Sequence, residues 1–318
     1  MQTRIVYNRC GDPEVLRLVP FDAGSPSPGQ VHVTVQAAGV NPVDWKIRSG
    51  LFGPVENEII PGTDAAGVVD AVGEGVEEEW VGAEVIVYGT DGAYTTLMPA
   101  PVTALIAKPA ALGWDEAASI GVPAGTAYQA LRSLDVRAGD VLLVHGGSGA
   151  VGQAAIQHAV RNGATVIATG SADRQERLRA LGAVPVTYGH GLLDRVRRTG
   201  FQPTAALDAA GTDEAIAVSL ETVTDRQRIG TVVRGIDAAQ FGITAWSGGS
   251  PNPLTGEQLS WRRHGVELTA ALASAGSFEI EVGAHYRLRD AAAAQADATS
   301  GATRGKVVLH PNDLGGQR

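Results

Sequence analysis

The segment that decides the fold is Val141-Leu142-Leu143-Val144-His145-Gly146-Gly147-Ser148-Gly149-Ala150-Val151-Gly152. Its opening run, Val141 to Val144, suits a short strand buried on both faces, as parallel strands are. A glycine-rich turn follows. Ala150 to Asn162 then has helical character, with Gly163 as its stop. From Gly147 the turn reads G-x-G-x-x-G, a pattern that carries meaning only between a strand and a helix, which is its setting here. In that setting Gly147 permits a tight turn, Gly149 lets the backbone approach a pyrophosphate, and Gly152 lets the helix pack closely on the strand. The helix start, with Ser148, Ala150 and Val151 around it, presents unpaired N–H groups and a partial positive charge to phosphates.

The next βα unit bears on which dinucleotide is held. NAD sites place an Asp or Glu at the end of the second strand. Here that region reads Val166-Ile167-Ala168-Thr169-Gly170-Ser171, without an acid. Ser171 can donate a hydrogen bond and Arg174 can pair with a 2′-phosphate, so NADPH is expected over NADH, with Thr169 beside it. Asp173 opposes this by adding negative charge. Beyond it, Asp173 to Leu181 reads as a helix capped by Ser171 or Asp173 and stopped by Gly182. Val184 to Thr187, Ala205 to Asp208 and Ile229 to Val233 continue the strand series. Strands alternating with helices predict an α/β fold with a doubly wound parallel sheet. Gly211, Val233 and Gly235 follow later strand ends, where cofactor contacts occur in such folds, while Tyr188 can simply pack at the end of its strand.

The first hundred residues have a different texture. Val31 to Ala37 alternates like a half-buried strand, and Ala66 to Val72 and Glu84 to Tyr88 are further β-branched runs. The region after Gly242 is irregular; Glu257 to Ser274 and Arg289 to Thr299 read as helices, and Lys306 to Leu309 as a closing strand. The expected division is residues 1–120, completed by 256–318, around a nucleotide domain of 121–255. A chain of 318 residues is long enough for two cores. The net charge of −9 argues against nucleic acid as a partner. No apolar run is long enough for a bilayer, and Met1 to Arg9 lacks a signal-peptide pattern, so no membrane partner and a cytoplasmic location are expected. A single cysteine, Cys10, excludes an intrachain disulfide and a four-cysteine zinc site. The seven histidines show no close metal-ligand spacing, and no metal is expected.

Several motifs occur in the order of one known family. Ala38-Gly39-Val40-Asn41-Pro42-Val43-Asp44-Trp45-Lys46-Ile47-Arg48-Ser49-Gly50 resembles the quinone oxidoreductase signature. Pro61-Gly62-Thr63-Asp64-Ala65-Ala66-Gly67, Pro123-Ala124-Gly125-Thr126-Ala127-Tyr128, Asp208-Ala209-Ala210-Gly211 and Gly305-Lys306-Val307-Val308-Leu309 are similar to later family blocks. The resemblance, to the zinc-independent branch of the medium-chain dehydrogenase/reductase superfamily, covers nearly the whole chain. It implies a Rossmann domain inserted into a GroES-like, partly open β-barrel domain, and a homodimer. Zinc-dependent members carry a ligating Cys where Asn41 stands and a ligating His where Thr63 stands, both poor zinc ligands here.

The resemblance further implies that Asn41, Asp44 and Thr126 lie near the nicotinamide ribose or the substrate, and that Tyr188 lies near the adenosine end of the cofactor. Asn41 and Asp44 also flank Pro42 and can simply set a turn. Lys46 can polarise a carbonyl or face solvent, and Phe52 would wall an apolar pocket. The expected catalytic set is Asn41, Asp44 and Lys46, with Asn41, Lys46 and Phe52 on the substrate. Without a Lewis acid, an already electrophilic acceptor suits the site, so the expected partner is a quinone or conjugated carbonyl. Enone or alkenal double-bond reduction, biosynthetic tailoring, and a non-catalytic NADPH-binding sensor are the alternatives.

Overall fold

Strands of β-branched and aliphatic residues dominate both halves of the chain, and their pairing defines the architecture. The computed structural model describes residues 1–247 and 250–312 of the chain. They separate into two units, Met1–Val122 with Glu267–Arg318, and Pro123–Val266. The second boundary falls within one helix, Gly256–Ser274.

In the unit Pro123–Val266, six parallel strands form one sheet in the order Val184–Thr187, Thr165–Gly170, Val141–His145, Ala205–Asp208, Ile229–Thr231, Thr244–Ala245. Numbered along the chain this is 3-2-1-4-5-6, the dinucleotide-binding order, with its switch point between Val141–His145 and Ala205–Asp208. Leu142, Leu143, Val144, Ile167 and Leu207 are buried, as a sheet covered on both faces requires. Leu143 and Ile167 pack with Leu192 and Val196 of the helix Leu192–Arg198 and Ile216 of the helix Asp213–Thr222.

The strand Ile229–Thr231 is shorter than its apolar run. The Thr231 hydroxyl accepts from the backbone N–H of Val233 and Arg234 and turns the chain out of the ladder. The expected helix 173–181 is likewise a 3₁₀ turn, Ala172–Arg174, followed by the helix Gln175–Ala180. The expected helix 289–299 is a 3₁₀ turn, Leu288–Asp290, leading into Ala291–Ser300.

In the other unit, the strand Gln30–Gly39 is the hub. It pairs along its length with Asp64–Val72, while its other edge takes Leu97–Pro101 at one end and Lys306–His310 at the other. Val31, Val33, Val35 and Ala37 alternate into the core. Lys306–His310 then carries Val282–Arg287 as a parallel outer strand, which the sequence reading did not identify. A second missed element is the helix Pro42–Arg48, where the Asn41-Pro42-x-Asp44 turn is a helix start.

Leu143 sits in the central strand of the parallel sheet and is fully buried. Leu143→Ala is expected to cost about 2–5 kcal/mol through lost transfer energy and the cavity left behind, read as a lower urea midpoint.

Candidate functional site

The first βα turn of the parallel sheet assigns its glycines different tasks. The left-handed residue is Gly146, at φ 72°, and not Gly147, so the tight turn belongs one position earlier than the fingerprint alone suggests. The Gly146 N–H donates to the Thr169 hydroxyl at 3.1 Å and the Gly147 N–H to the Thr169 carbonyl at 2.8 Å, fastening the loop to the second strand. A Cβ on Gly147 would lie 2.9 Å from the Ala168 side chain, so Gly147 is needed for packing. A Cβ on Gly152 would lie 2.2 Å from the Gly146 carbonyl, so Gly152 makes room for the loop itself rather than for the strand. Gly149 differs from these: at φ −76° it is an ordinary helix N-cap, and an added Cβ meets only the Gly146 carbonyl at 3.5 Å. No side chain caps the helix Ala150–Arg161 that Gly149 begins.

The neighbouring strand ends converge on this loop. A Cβ on Gly170 would face both the Arg174 Cβ and the Ser148 hydroxyl at 3.5 Å. Arg174, expected on a helix surface if it had no task, is buried. Ser171 donates to the Asp173 carboxylate at 2.5 Å, so the opposing acid is engaged by the serine beside it. Tyr188 is 61% exposed, which removes ordinary packing as its role, and its N–H reaches the Gly170 carbonyl. Thr126 is buried on the helix Gly121–Ser133.

Across the switch point, the buried Asp208 holds the next two turns. Its carboxylate accepts from the Ala210 and Gly211 N–H groups and, at 2.7 Å, from the Thr231 hydroxyl. Gly211 is left-handed and packs against Val233. Gly235 is packed under the backbone of Ser247 and Ser250; positions 248–249 of the irregular region after Gly242 lie outside the described residues. Arg234 is drawn into ion pairs with Asp213 and Asp237 and lies over the Phe241 ring. His145, at the end of the first strand, is buried with Nε2 unpartnered, and burial lowers its pKa to about 4, so it is neutral at pH 7.

In the unit Met1–Val122/Glu267–Arg318, the residues expected at the reacting atoms form a buried polar network. Asp44 accepts from the Asn41 N–H at 2.8 Å and from the Tyr94 hydroxyl at 3.0 Å, closing the capping box of the helix Pro42–Arg48. The Asn41 amide donates to Asp64 at 2.9 Å and to the Thr63 hydroxyl at 3.5 Å, and its Oδ1 accepts from the Lys306 ammonium at 2.6 Å. Lys306 also donates to the Val40 carbonyl at 2.9 Å and lies 3.7 Å from Asp64. Asp64 in turn accepts from the Val122 N–H. Burial pushes the Asp44 carboxyl up to about 7, raises that of Asp64, and lowers the Lys306 ammonium against the pull of both acids. Arg48 is buried too, donating to Gln295 at 2.6 Å and to the Gly11 carbonyl, so its place is in the framework.

Lys46, on the same helix, is half-buried; burial lowers its pKa, and none of the described hydrogen bonds or ion pairs uses its ammonium. Phe52 follows the helix and is 41% exposed. Lys306 was visible in the sequence only as one of three lysines in a closing motif; its partner Asn41 is far away along the chain, and no local pattern links them. Two histidines, His285 and His310, also meet in space around Asp115, despite a sequence spacing that suggested no shared ligand.

The comparisons with known proteins agree with this architecture. The alcohol dehydrogenase GroES-like domain family matches residues 27–113, and the zinc-binding dehydrogenase family matches residues 181–309. A quinone oxidoreductase of Salmonella typhimurium is 31% identical over 98% of this chain and 100% of its own length. The chain belongs to the quinone oxidoreductase family of the medium-chain dehydrogenase/reductase superfamily. It is an oxidoreductase by that membership. The Escherichia coli quinone oxidoreductase complexed with NADPH superposes with a TM-score of 0.83 at 27% identity, covering 97% of this chain and 100% of that one. A mycobacterial protein complexed with NADPH gives a TM-score of 0.82 at 28% identity, covering 98% and 100%.

Zinc is implied by the name of one matching family, and the donor set at the corresponding place does not fit it. Where ligands would stand there is an amide, a hydroxyl and a carboxylate, with a lysine ammonium already on the amide oxygen. Zinc prefers thiolate, imidazole and carboxylate.

The glycine geometry predicts a contrast in stability. Gly152→Ala drives a Cβ into backbone and is expected to cost at least about 1–3 kcal/mol, whereas Gly149→Ala is expected to stay within about 0.5 kcal/mol of the parent; thermal denaturation of both variants checks this. The network predicts a pH effect. The raised Asp44 pKa means the folded protein keeps a proton that the unfolded chain releases between about pH 4 and 7. Stability contributed by neutral Asp44 is therefore lost as pH rises through that window. Asp44→Asn keeps the acceptor without the charge, so its stability relative to the parent is expected to rise between pH 5 and 8 in parallel denaturant titrations.

Proposed function

We propose that the chain is an NADPH-dependent reductase that delivers hydride to a quinone without zinc. The observation that carries this is the first βα turn. It couples an open N-cap at Gly149, a strand end without an acid, and a buried Arg174 facing the same glycine as Ser148. The NADPH complexes of two structural neighbours support the choice of cofactor.

In this reading the N–H groups at the start of the helix Ala150–Arg161 hold the pyrophosphate, with Gly147, Ser148, Ala150, Val151 and Gly152 shaping the cradle. Ser171 and Arg174 receive the 2′-phosphate beside Thr169, and Tyr188, exposed at the third strand end, covers the adenosine side. Gly211, Val233 and Gly235 line the later strand ends, and Thr126 contributes from its helix. NADPH, when bound, supplies the hydride.

The protein's own residues divide into framework and contact groups. Asn41 and Asp44 have their polar atoms turned inward to the Lys306 network, and we assign them as positioning residues for the helix that carries Lys46. Lys46 is the group free to polarise an acceptor oxygen, and Phe52 offers the apolar wall. A quinone spreads developing charge over a conjugated system, so one ammonium and exclusion of water replace a metal. A homodimer rests on the resemblance alone, and a cytoplasmic location on the sequence reading alone.

The test is oxidation of NADPH by the purified protein with an ortho-quinone and with an enone, NADH serving as control. The expected result is quinone turnover with NADPH preferred. Arg174→Ala should lower kcat/KM for NADPH at least about tenfold while leaving NADH nearly unchanged, since a charge-assisted contact of about 1.5–3 kcal/mol is removed. Gly149→Ala should weaken binding of both cofactors. Equal use of NADPH and NADH by the parent would remove the 2′-phosphate assignment. Faster enone turnover would make the protein a double-bond reductase, and tight NADPH binding without turnover a cofactor sensor.

A further inference from the structure

The outer face of the first unit carries a cluster that the proposed reduction does not use. Val282–Arg287 runs parallel to Lys306–His310, with His285 opposite Val308 and Arg287 opposite His310. Alternation puts His285 on the exposed side of its strand with Gly283 and Arg287. The pairing brings the His285 and His310 rings to 5.3 Å between centroids. Asp115, on the short helix Trp114–Ala117, stands against both. One carboxylate oxygen lies 2.7 Å from His310 Nε2 and the other 3.2 Å from His285 Nδ1.

One donor atom from each of the three residues lies within 4.8 Å of the others. All three side chains are partly open, at 29%, 51% and 32% exposure for Asp115, His285 and His310. A cavity of about 690 Å³ adjoins two of them, Asp115 and His310, and is also bordered by Gln36, Glu116 and Asn312.

We propose that Asp115, His285 and His310 form a binding site for a divalent transition-metal ion of the zinc class, with a fourth coordination position open to the adjoining cavity. Two imidazole nitrogens and one carboxylate oxygen are a donor set that zinc and its transition-metal neighbours accept and that magnesium and calcium, which favour oxygen, do not. The ion replaces the hydrogen bond between Asp115 and His310 and the ion-pair contact between Asp115 and His285. Bound there, it clips the outer parallel strands to the helix Trp114–Ala117. The site shares no residue with the Asn41/Thr63/Asp64 network, and its existence is independent of the proposed reductase activity.

The test is calorimetric titration of the full chain, stripped with EDTA and dialysed, using zinc chloride alone and magnesium chloride as control. The expected result is one zinc ion per chain and no magnesium. His285→Ala, His310→Ala and the isosteric Asp115→Asn should each weaken zinc at least about tenfold, while His190→Ala, an exposed histidine outside the cluster, should not. Cobalt titration should give visible d–d bands in the parent that are lost in the histidine variants. Zinc should raise the thermal midpoint of the parent and not of those variants, and their melts without metal show that they fold. No saturable zinc binding, or stoichiometric binding that all three variants leave intact, would overturn the proposal.

Discussion

One buried ammonium organises the first unit. Lys306 arrives on the last strand, and its Nζ meets the Val40 carbonyl, the Asn41 amide oxygen and the Asp64 carboxylate in a region closed to water. An unpaired charge there would cost several kcal/mol, so the strand Lys306–His310 can dock only where those partners wait. The same residues begin the helix Pro42–Arg48, which makes the return of the chain's distant end a condition for placing Lys46. Burial drives the Asp44 carboxyl up to about 7 despite two hydrogen-bond donors and the pull of Lys306, and the charge of Asp64 adds to the rise.

The parallel sheet solves a different problem, which is how to leave a vacancy for phosphates without leaving one for collapse. Gly146 supplies the reversed turn, while Gly147 and Gly152 give up their side chains so that loop, strand and helix can touch. Only Gly149 has no protein neighbour that demands a glycine. Steric economy inside the protein therefore accounts for three of the four glycines and leaves Gly149 without a packing reason. Asp208 plays the complementary part across the switch point, holding the turns after two strands through backbone N–H groups and Thr231.

Much of this was legible in the residues because it is local. Strands at Val141, Thr165, Val184 and Ala205, the helix opening at Ala150 and its stop at Gly163 follow from periodicity and glycine punctuation, and the family order of motifs extended the reading to the whole chain. The misses share a cause. Which glycine is left-handed depends on how the loop is tied to Thr169, and a fingerprint read as spacing does not contain that bond. The engagement of Asn41 by Lys306, the burial of Arg174 and the meeting of His285, His310 and Asp115 depend on strand pairing between segments far apart. Thr231 ended a strand that its apolar neighbours would have continued, because a hydroxyl competed for their N–H groups.

A lysine network around Asn41 and Asp64 offers different chemistry from a bound metal ion. A zinc ion binds the reacting oxygen directly and withdraws charge from it. The Lys306 ammonium is committed to Val40, Asn41 and Asp64, with its own pKa depressed by burial. It stabilises the framework and has no coordination position to lend. What remains near the same helix is Lys46, a weaker and more flexible source of positive charge. Such a site can assist an acceptor that disperses charge through its own conjugation, and it lacks the means to stabilise a localised alkoxide. A donor set of amide and hydroxyl beside a committed ammonium is one reason to propose a conjugated carbonyl acceptor over a simple aldehyde or ketone.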